Sequence, residues 1–319
     1  MLALNGVSSR SLWLARAIDA ELCLLKCKPP YLNLEVQILK ILAKYAPREI
    51  VIQLPSGPLL GAALSARVLR RDAKVIADVH TGFLVYRWYG RMHRLLNKPF
   101  VPLLRYADLV LLHNATNFGY LPCGAHQRAT VLYDPFYVVR QLVQDASSCR
   151  SFDLGEYCVF PASWHADEPI ERLIRLWAEH HLQPTLVVTG HPRPRVVNQV
   201  LKYVGRSKGI VLTGHLEYAD FLTLVANSRF VISLTMSDFD SQASSYEALA
   251  FGKPIVASET LALKMTLDGC ATYFQIDDPI GLCTSVTSIL DNYDAYVKKV
   301  SHLAETLECQ IRKRIMEVF

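Results

Sequence analysis

Short apolar runs that end in polar residues recur along the chain, separated by segments with helical spacing. The first half carries them at residues 1–4, 50–54, 75–79, 109–112 and 130–133. The second half repeats the rhythm at 157–162, 185–189, 210–213, 230–235, 254–257 and 271–276. Runs this short and rich in β-branched residues predict buried strands. Between them, Leu34, Ile38, Ile41 and Leu42 recur at helical spacing over 33–45, a helix closed before Pro47. Further helices are expected over 12–25, from Gln242 onward, and as one long segment over 285–318. Such alternation predicts the α/β class with doubly wound parallel sheets. A break near 136–156, with 145–155 as linker, divides the pattern into two Rossmann-like domains, residues 1–150 and 151–300.

One stretch carries the densest chemistry, RFVISLTMSDFDSQASSYEALAFGKPIVAS at 229–258. A buried strand leads into a polar loop with Asp238 and Asp240, then into a helix for which Ser241 and Ser244 are the candidate N-caps. Gly252 suits the position just past the helix, and Pro254 cannot continue it. The helix N-terminus at Gln242 presents backbone N–H groups and hydroxyls at the carboxyl edge of a parallel sheet, a setting that favours phosphate. Glu247, further along the same helix, is placed to accept hydrogen bonds from a ribose diol.

Tyr246-Glu247-Ala248-Leu249-Ala250-Phe251-Gly252-Lys253-Pro254-Ile255-Val256-Ala257-Ser258 resembles the C-terminal half of GT-B glycosyltransferases, most closely family 4. The resemblance implies two Rossmann-like domains facing a cleft, with a last helix, about 300–319, crossing back to the first domain. It also implies transfer of a sugar from a nucleotide-sugar donor without a metal or other cofactor. Asp238-Phe239-Asp240 is a D-x-D, a metal-holding motif in transferases of another fold; in the GT-B context a metal is not expected. Other strand ends fit the layout: Gln53-Leu54-Pro55, Asp78-Val79-His80-Thr81, His113-Asn114, Thr189-Gly190-His191 and Thr213-Gly214-His215. Thr213 and Gly214 fall where the family meets the base. His80 falls where similar enzymes have a His beside the donor sugar. Its near-neutral titration suits proton transfer or a sugar hydroxyl, and Asp78 either orients the ring or acts as base. Gly82 is expected to let a sugar approach the backbone.

The chain departs from the family at two places. Phe239 stands where a second Glu is usual. More important, the family has an Arg and a Lys on the first strand-loop of the second domain to neutralise the diphosphate, and Ser163 and Glu168 occupy those places. Arg193 and Arg195, in G-H-P-R-P-R, are the candidate substitutes. Backbone N–H groups holding the diphosphate, or a protein that is not an active transferase, are the alternatives. A sugar-nucleotide epimerase or hydrolase on the same fold, and a catalytically silent assembly partner, are the rival functions.

Composition narrows the setting. The chain has 319 residues, 51% hydrophobic and 20% charged, an ordinary globular balance. No apolar stretch reaches the length of a membrane span, and Arg10, Arg16 and Asp19 interrupt the first apolar run, against a signal peptide. Eight cysteines are scattered without a C-x-x-C pair, which fits a reducing, cytoplasmic setting. Charge is lopsided: residues 1–150 hold 19 basic and 9 acidic side chains, and the remainder holds 15 and 20. A basic first half points to an anionic partner. No nucleic-acid motif accompanies it, so an anionic membrane surface is expected. The contact is assigned to the segment from Arg87 to Arg105, RWYGRMHRLLNKPFVPLLR, with a lipid-linked acceptor as the corresponding substrate.

Overall fold

The computed structural model of the chain describes residues 1–28, 31, 33–54, 56–85, 90–144, 152–205 and 207–319, apart from the side chains of Gln144 and Arg195. Residues 145–151 of the expected linker lie outside the described residues, as do Arg87, Trp88 and Tyr89. The chain divides into two compact units, residues 1–135 with 311–319 and residues 136–310.

In the first unit the elements run β1 (Leu2–Leu4), α1 (Ser9–Ala17), β2 (Cys23–Leu25), α2 (Leu34–Tyr45), β3 (Glu49–Leu54), α3 (Gly57–Arg67), β4 (Lys74–Val79), α4 (Thr81–Leu84), α5 (Arg91–Asn97), a 3-10 segment Lys98–Tyr106, β5 (Leu109–Leu112) and β6 (Ala129–Val131). The strands form one parallel sheet in the order β2-β1-β3-β4-β5-β6. Val51, Ile52, Ala77, Val79 and Leu111 are buried in it, under Trp13, Ile38 and Leu59 from the helices. Trp13 and Leu14 are buried, three and four residues after Arg10 on the same face of α1. Phe100, on the 3-10 segment, rests on α3 at Gly57 and Gly61, where an added Cβ would meet its ring at 2.6 and 2.8 Å.

The helix expected over 12–25 stops at Ala17. Asp19 turns left-handed (φ 49°), the Ala20 N–H donates to the Ala15 carbonyl at 2.8 Å, and residues 23–25 join β1 as a parallel strand. An apolar run of three is compatible with either state until its partner strand is known.

In the second unit the elements are α6 (Val139–Gln144), β7 (Tyr157–Phe160), α7 (Ile170–Glu179), β8 (Thr185–Thr189), α8 (Pro194–Val204), β9 (Ile210–Gly214), α9 (Tyr218–Asn227), β10 (Val231–Ser233), α10 (Ala243–Ala250), β11 (Ile255–Ser258), α11 (Leu261–Leu267), β12 (Thr272–Phe274), α12 (Pro279–Asp291) and α13 (Tyr293–Val318), whose end from Ile311 counts with the first unit. Its parallel sheet has the order β12-β11-β10-β7-β8-β9, so the direction of strand addition reverses between β7 and β10. Phe160, Trp177, Phe230 and Phe274 fill the core. Strand β10 is shorter than the expected 230–235, since Thr235 N–H donates to Ser258 Oγ at 2.8 Å instead of to a ladder carbonyl.

Helix α10 begins at Gln242 as expected, but neither serine caps it. Gln242 is the N-cap and makes no side-chain capping bond, while the Ser244 hydroxyl donates to Ser233 Oγ at 3.0 Å. The other end is as expected. Gly252 is left-handed (φ 63°), its N–H donates to Leu249, and Lys253 N–H reaches the Ala248 carbonyl at 2.9 Å, the paired bonds of a Schellman motif. The single helix expected over 285–318 is two. Asn292 closes α12 by donating to Ser288 O and opens α13 by accepting from Ala295 and Tyr296. Among the described residues, no helix is long and apolar enough to cross a membrane.

Candidate functional site

Ligands of doubly wound sheets bind outside the carboxyl ends of the strands, where strand order reverses. In the second unit that point lies between the loops after β7 and β10, and the two loops are tied together there by Asp167. Its carbonyl accepts from Met236 N–H at 2.8 Å, and its Oδ2 accepts from Thr235 Oγ1 at 2.7 Å. The Gln242 amide, at the head of α10, lies 3.5 Å from the same oxygen. Oδ1 takes the His165 ring through Nδ1. Burial alone would raise the Asp167 carboxyl, but the bonds from His165 and Thr235 outweigh it and hold the group below its ordinary range. The same contact raises His165, whose side chain is 31% exposed.

Ser163 and Glu168 bind each other. Ser163 donates through N–H and Oγ to the two carboxylate oxygens at 2.9 and 2.8 Å. Burial pushes Glu168 up to about 7. Trp164 turns left-handed (φ 57°), is buried, and donates from Nε1 to the Thr189 carbonyl at 2.8 Å. Gly190 is left-handed too (φ 77°), and a Cβ on it would stand 2.5 Å from the Ala162 carbonyl. Thr213 and Gly214 end β9, where Gly190 N–H donates to Gly214 O at 2.8 Å. His191 and His215 stack 6.3 Å apart beside them. Arg193 is the N-cap of α8, exposed, and near enough to oppose the charge on His165. The Arg195 side chain lies outside the described residues. Ser241 is half-buried in the loop before α10, and Ser244 and Glu247 are buried in that helix. Asp238 is exposed and turned to α11, accepting from Leu261 N–H at 3.1 Å.

At the carboxyl edge of the first unit's sheet, a second polar set gathers around Asp78, which is fully buried. Arg10 donates from Nε to Asp78 Oδ1 at 2.8 Å and from a terminal nitrogen to Asp134 Oδ1 at 2.6 Å and Leu132 O at 2.8 Å. Burial opposes the Asp78 charge, yet Arg10 beside it wins and holds that carboxyl well below the usual carboxylate range. Asp134 moves the other way, pushed up by burial. His80 Nε2 stands 3.7 Å from Asp78 Oδ2, an electrostatic approach rather than a hydrogen bond. The His113 ring meets His80 edge-on at 4.5 Å, and burial with the nearby Arg10 keeps it neutral, well below the ordinary histidine range. Asp78, His80 and His113 offer ligand atoms within 4.8 Å of one another, the atom types of a divalent cation site. The Arg10 guanidinium on the same carboxylate opposes a cation there. His80 takes the N-cap position of α4 without a capping bond. Gly82, expected to admit a sugar, is buried instead, and its carbonyl lies 3.0 Å from His93 Nε2.

Pattern reading places Asp78 and His80 together on β4 but passes over Arg10 and Asp167. Arg10 is signalled only by a charged residue on the apolar face of α1. Asp167 has one local partner, His165, but the bonds that tie it to the site come from Thr235 and Met236 on the loop after β10, far along the chain. An open groove of about 1070 Å³ also runs along the first unit, lined by Leu34, Ala62, Val68, Phe100 and Tyr106 with Arg71. Met92 and Leu95 stand exposed beside Arg91 and Arg94 on α5.

The fold is GT-B, two Rossmann-like parallel-sheet units. The chain superposes on HepE of Anabaena, solved in complex with UDP and glucose, with a TM-score of 0.72 at 13% identity, covering 99% of this chain and 98% of that one. Sucrose-phosphate synthase from Thermosynechococcus elongatus matches with a TM-score of 0.69 at 12% identity, covering 99% and 97%. The UDP-GlcNAc 2-epimerase of Neisseria meningitidis, bound to UDP-GlcNAc, matches at 0.63 and 15%, covering 99% and 98%. At these identities the likeness is one of fold. No family model matches the chain, and no curated protein matches its sequence.

Proposed function

We propose that the protein is a glycosyltransferase of family 4 type that moves a sugar from a nucleotide-sugar donor to a lipid-linked glycan acceptor. The observation that carries this reading is the strand-order reversal in the second unit, where the loop after β7 and the head of α10 are joined through Asp167. Phosphate would meet the N-terminus of α10 there. Glu247, inside that helix, accepts the ribose hydroxyls, and Thr213 and Gly214 border the base. Asp78 and His80 serve proton transfer or sugar contact. No resident metal is needed in this reading. The open groove of the first unit, where Leu34, Val68 and Phe100 stand beside Glu35, Arg67 and Arg71, suits an amphipathic acceptor, and Arg91, Arg94, Met92 and Leu95 suit an anionic membrane surface.

A second reading, a sugar-nucleotide epimerase or hydrolase, is favoured by the Asp78–His80–His113 set, in which half-buried His80 stands between buried Asp78 and His113 and suits proton transfer at a sugar carbon. Calorimetric titration with UDP-glucose, GDP-mannose and dTDP-glucose tests donor binding. Glu247→Gln is expected to weaken the donor that binds at least about tenfold, the worth of a charged hydrogen bond. Unchanged affinity in a folded variant removes Glu247 from the site. Donor consumption without any acceptor favours the second reading, and absence of binding to every donor sinks both.

A further inference from the structure

The rim between β7 and β10 lacks the Arg and Lys expected on the loop after β7, yet that loop carries His165, whose contact with Asp167 favours the protonated ring. Building on the nucleotide-sugar reading above, we infer that the His165 imidazolium, braced by Asp167, is the group that meets the donor diphosphate, so that donor binding tightens as pH falls.

The geometry begins with Trp164. Its left-handed backbone and buried ring, anchored on the Thr189 carbonyl, leave the next residue, His165, at the surface of the loop. Asp167 then fixes the ring. One carboxylate oxygen holds His165 Nδ1, and the other is held by Thr235 Oγ1 on the loop after β10. The imidazole is therefore referenced to both loops that border the strand reversal and to the head of α10 through Gln242. With Nδ1 engaged by a carboxylate, the doubly protonated ring is favoured, and Nε2–H becomes a charged donor for a phosphate oxygen.

The charged groups around it set the direction. Asp167 and Glu168, on its own loop, favour the imidazolium, and Arg193, on the loop after β8, opposes it. The residues facing Asp167 from the loop after β10, Thr235 and Gln242, are neutral. Glu168 adds to the same trend. It stands where the family has a lysine, buried and bonded twice to Ser163, and its rise to about 7 leaves it substantially protonated in mild acid. Raising the pH therefore removes a positive charge from His165 and places a negative one on Glu168, and both changes oppose a dianionic diphosphate.

The test uses the whole chain and UDP-glucose, GDP-mannose and dTDP-glucose at constant ionic strength. A sugar diphosphate is doubly esterified and keeps its charge across this range, unlike a terminal phosphate, whose second ionisation lies near about pH 6. Affinity is expected to fall at least about tenfold from pH 6 to pH 8, the order of one charged contact. His165→Gln should weaken binding at pH 6 and leave only the Glu168 share of the slope, which His165→Gln with Glu168→Gln removes. His165→Lys, with a permanent charge, should restore binding at pH 8, a rescue that a purely structural role would not give. A donor that binds equally at both pH values, or a wild-type slope retained in His165→Gln, overturns the inference and leaves the nucleotide-sugar reading standing. Failure of every donor to bind at pH 6 overturns both.

Discussion

Replacing Arg10 by Met tests the charge network of the first unit. The guanidinium is 2% exposed and serves two carboxylates, Asp78 at 0% and Asp134 at 5%, with ion-pair distances of 2.8 and 2.6 Å. Methionine matches much of the aliphatic stem but leaves both acids without their cation. Removing one partner of a buried ion pair costs about 3–5 kcal/mol, a large part of the ~5–15 kcal/mol that holds a domain folded. Hydrogen exchange followed by mass spectrometry is the suitable assay, since peptides from β7, β8 and β10 provide a reference within the same molecule. Opening free energy over β3, β4 and β5 should drop by several kcal/mol at pH 7, and the second unit should be unchanged. The loss has a pH signature. In the native protein Asp78 titrates below its ordinary 3.8, so its contribution is complete above that value and is lost as pH falls. In the variant, burial is opposed only by His80 and His113, so the carboxyl rises and stability no longer builds as pH rises. The difference between the two proteins must therefore shrink on acidification. Adding Asp78→Asn and Asp134→Asn to Arg10→Met should recover most of the loss. A drop under about 1 kcal/mol at pH 7, or one independent of pH, refutes the account of Asp78 as a carboxylate held ionised by Arg10.

Three further outcomes are expected. Gly190→Ala should destabilise the second unit by about 1–3 kcal/mol in urea unfolding, because φ is 77° and the new Cβ would meet the Ala162 carbonyl; a neutral result would mean the loop relaxes. Glu168→Gln should match the native protein near pH 5 and exceed its stability near pH 8. The native carboxyl, raised from 4.5 to about 7, loses stability as pH rises through that window, a difference on the order of 3 kcal/mol read by thermal unfolding at both pH values. Gly61→Ala should cost about 1–3 kcal/mol by displacing Phe100 from α3, and the cost should largely vanish in a Phe100→Ala background, as a double-mutant cycle would show.

Legibility in the sequence followed the range of the interactions. Helix α10 illustrates the short-range case: Gly252 and Pro254 mark its end because a left-handed residue and a missing N–H act within one turn. The strand ends at Asp78 and His80 were legible for the same reason, as a run of β-branched and small residues meeting polar ones. Where two local states compete, pattern failed. Residues 23–25 are apolar enough for helix or strand, and only pairing with β1 decides. Asn292 breaks an apolar pattern whose periodicity runs through it. The charge network was the least visible, since Arg10 lies 68 and 124 positions from its two carboxylates. The Ser163–Glu168 pair shows a different lesson. A substitution that looks like the loss of a charge at both positions is a mutually satisfied hydrogen-bonded pair, with His165 between them raised by its contact with Asp167.

The span of the Arg10 bridge has a consequence for synthesis. A nascent chain is extended at about 5–20 residues per second, so Asp78 becomes available to Arg10 on the order of 3–10 s before Asp134 does. During that interval α1 can already dock on β4, but the second carboxylate and the Leu132 carbonyl that complete the guanidinium's bonding are missing. In the first part of that interval, before Leu109–Leu112 is made, the sheet also ends on β4, with its β5 edge exposed. A ribosome pausing within this window holds a half-neutralised cation beside an open strand edge, the species in which capture by a chaperone or by another nascent chain competes with completion of the fold.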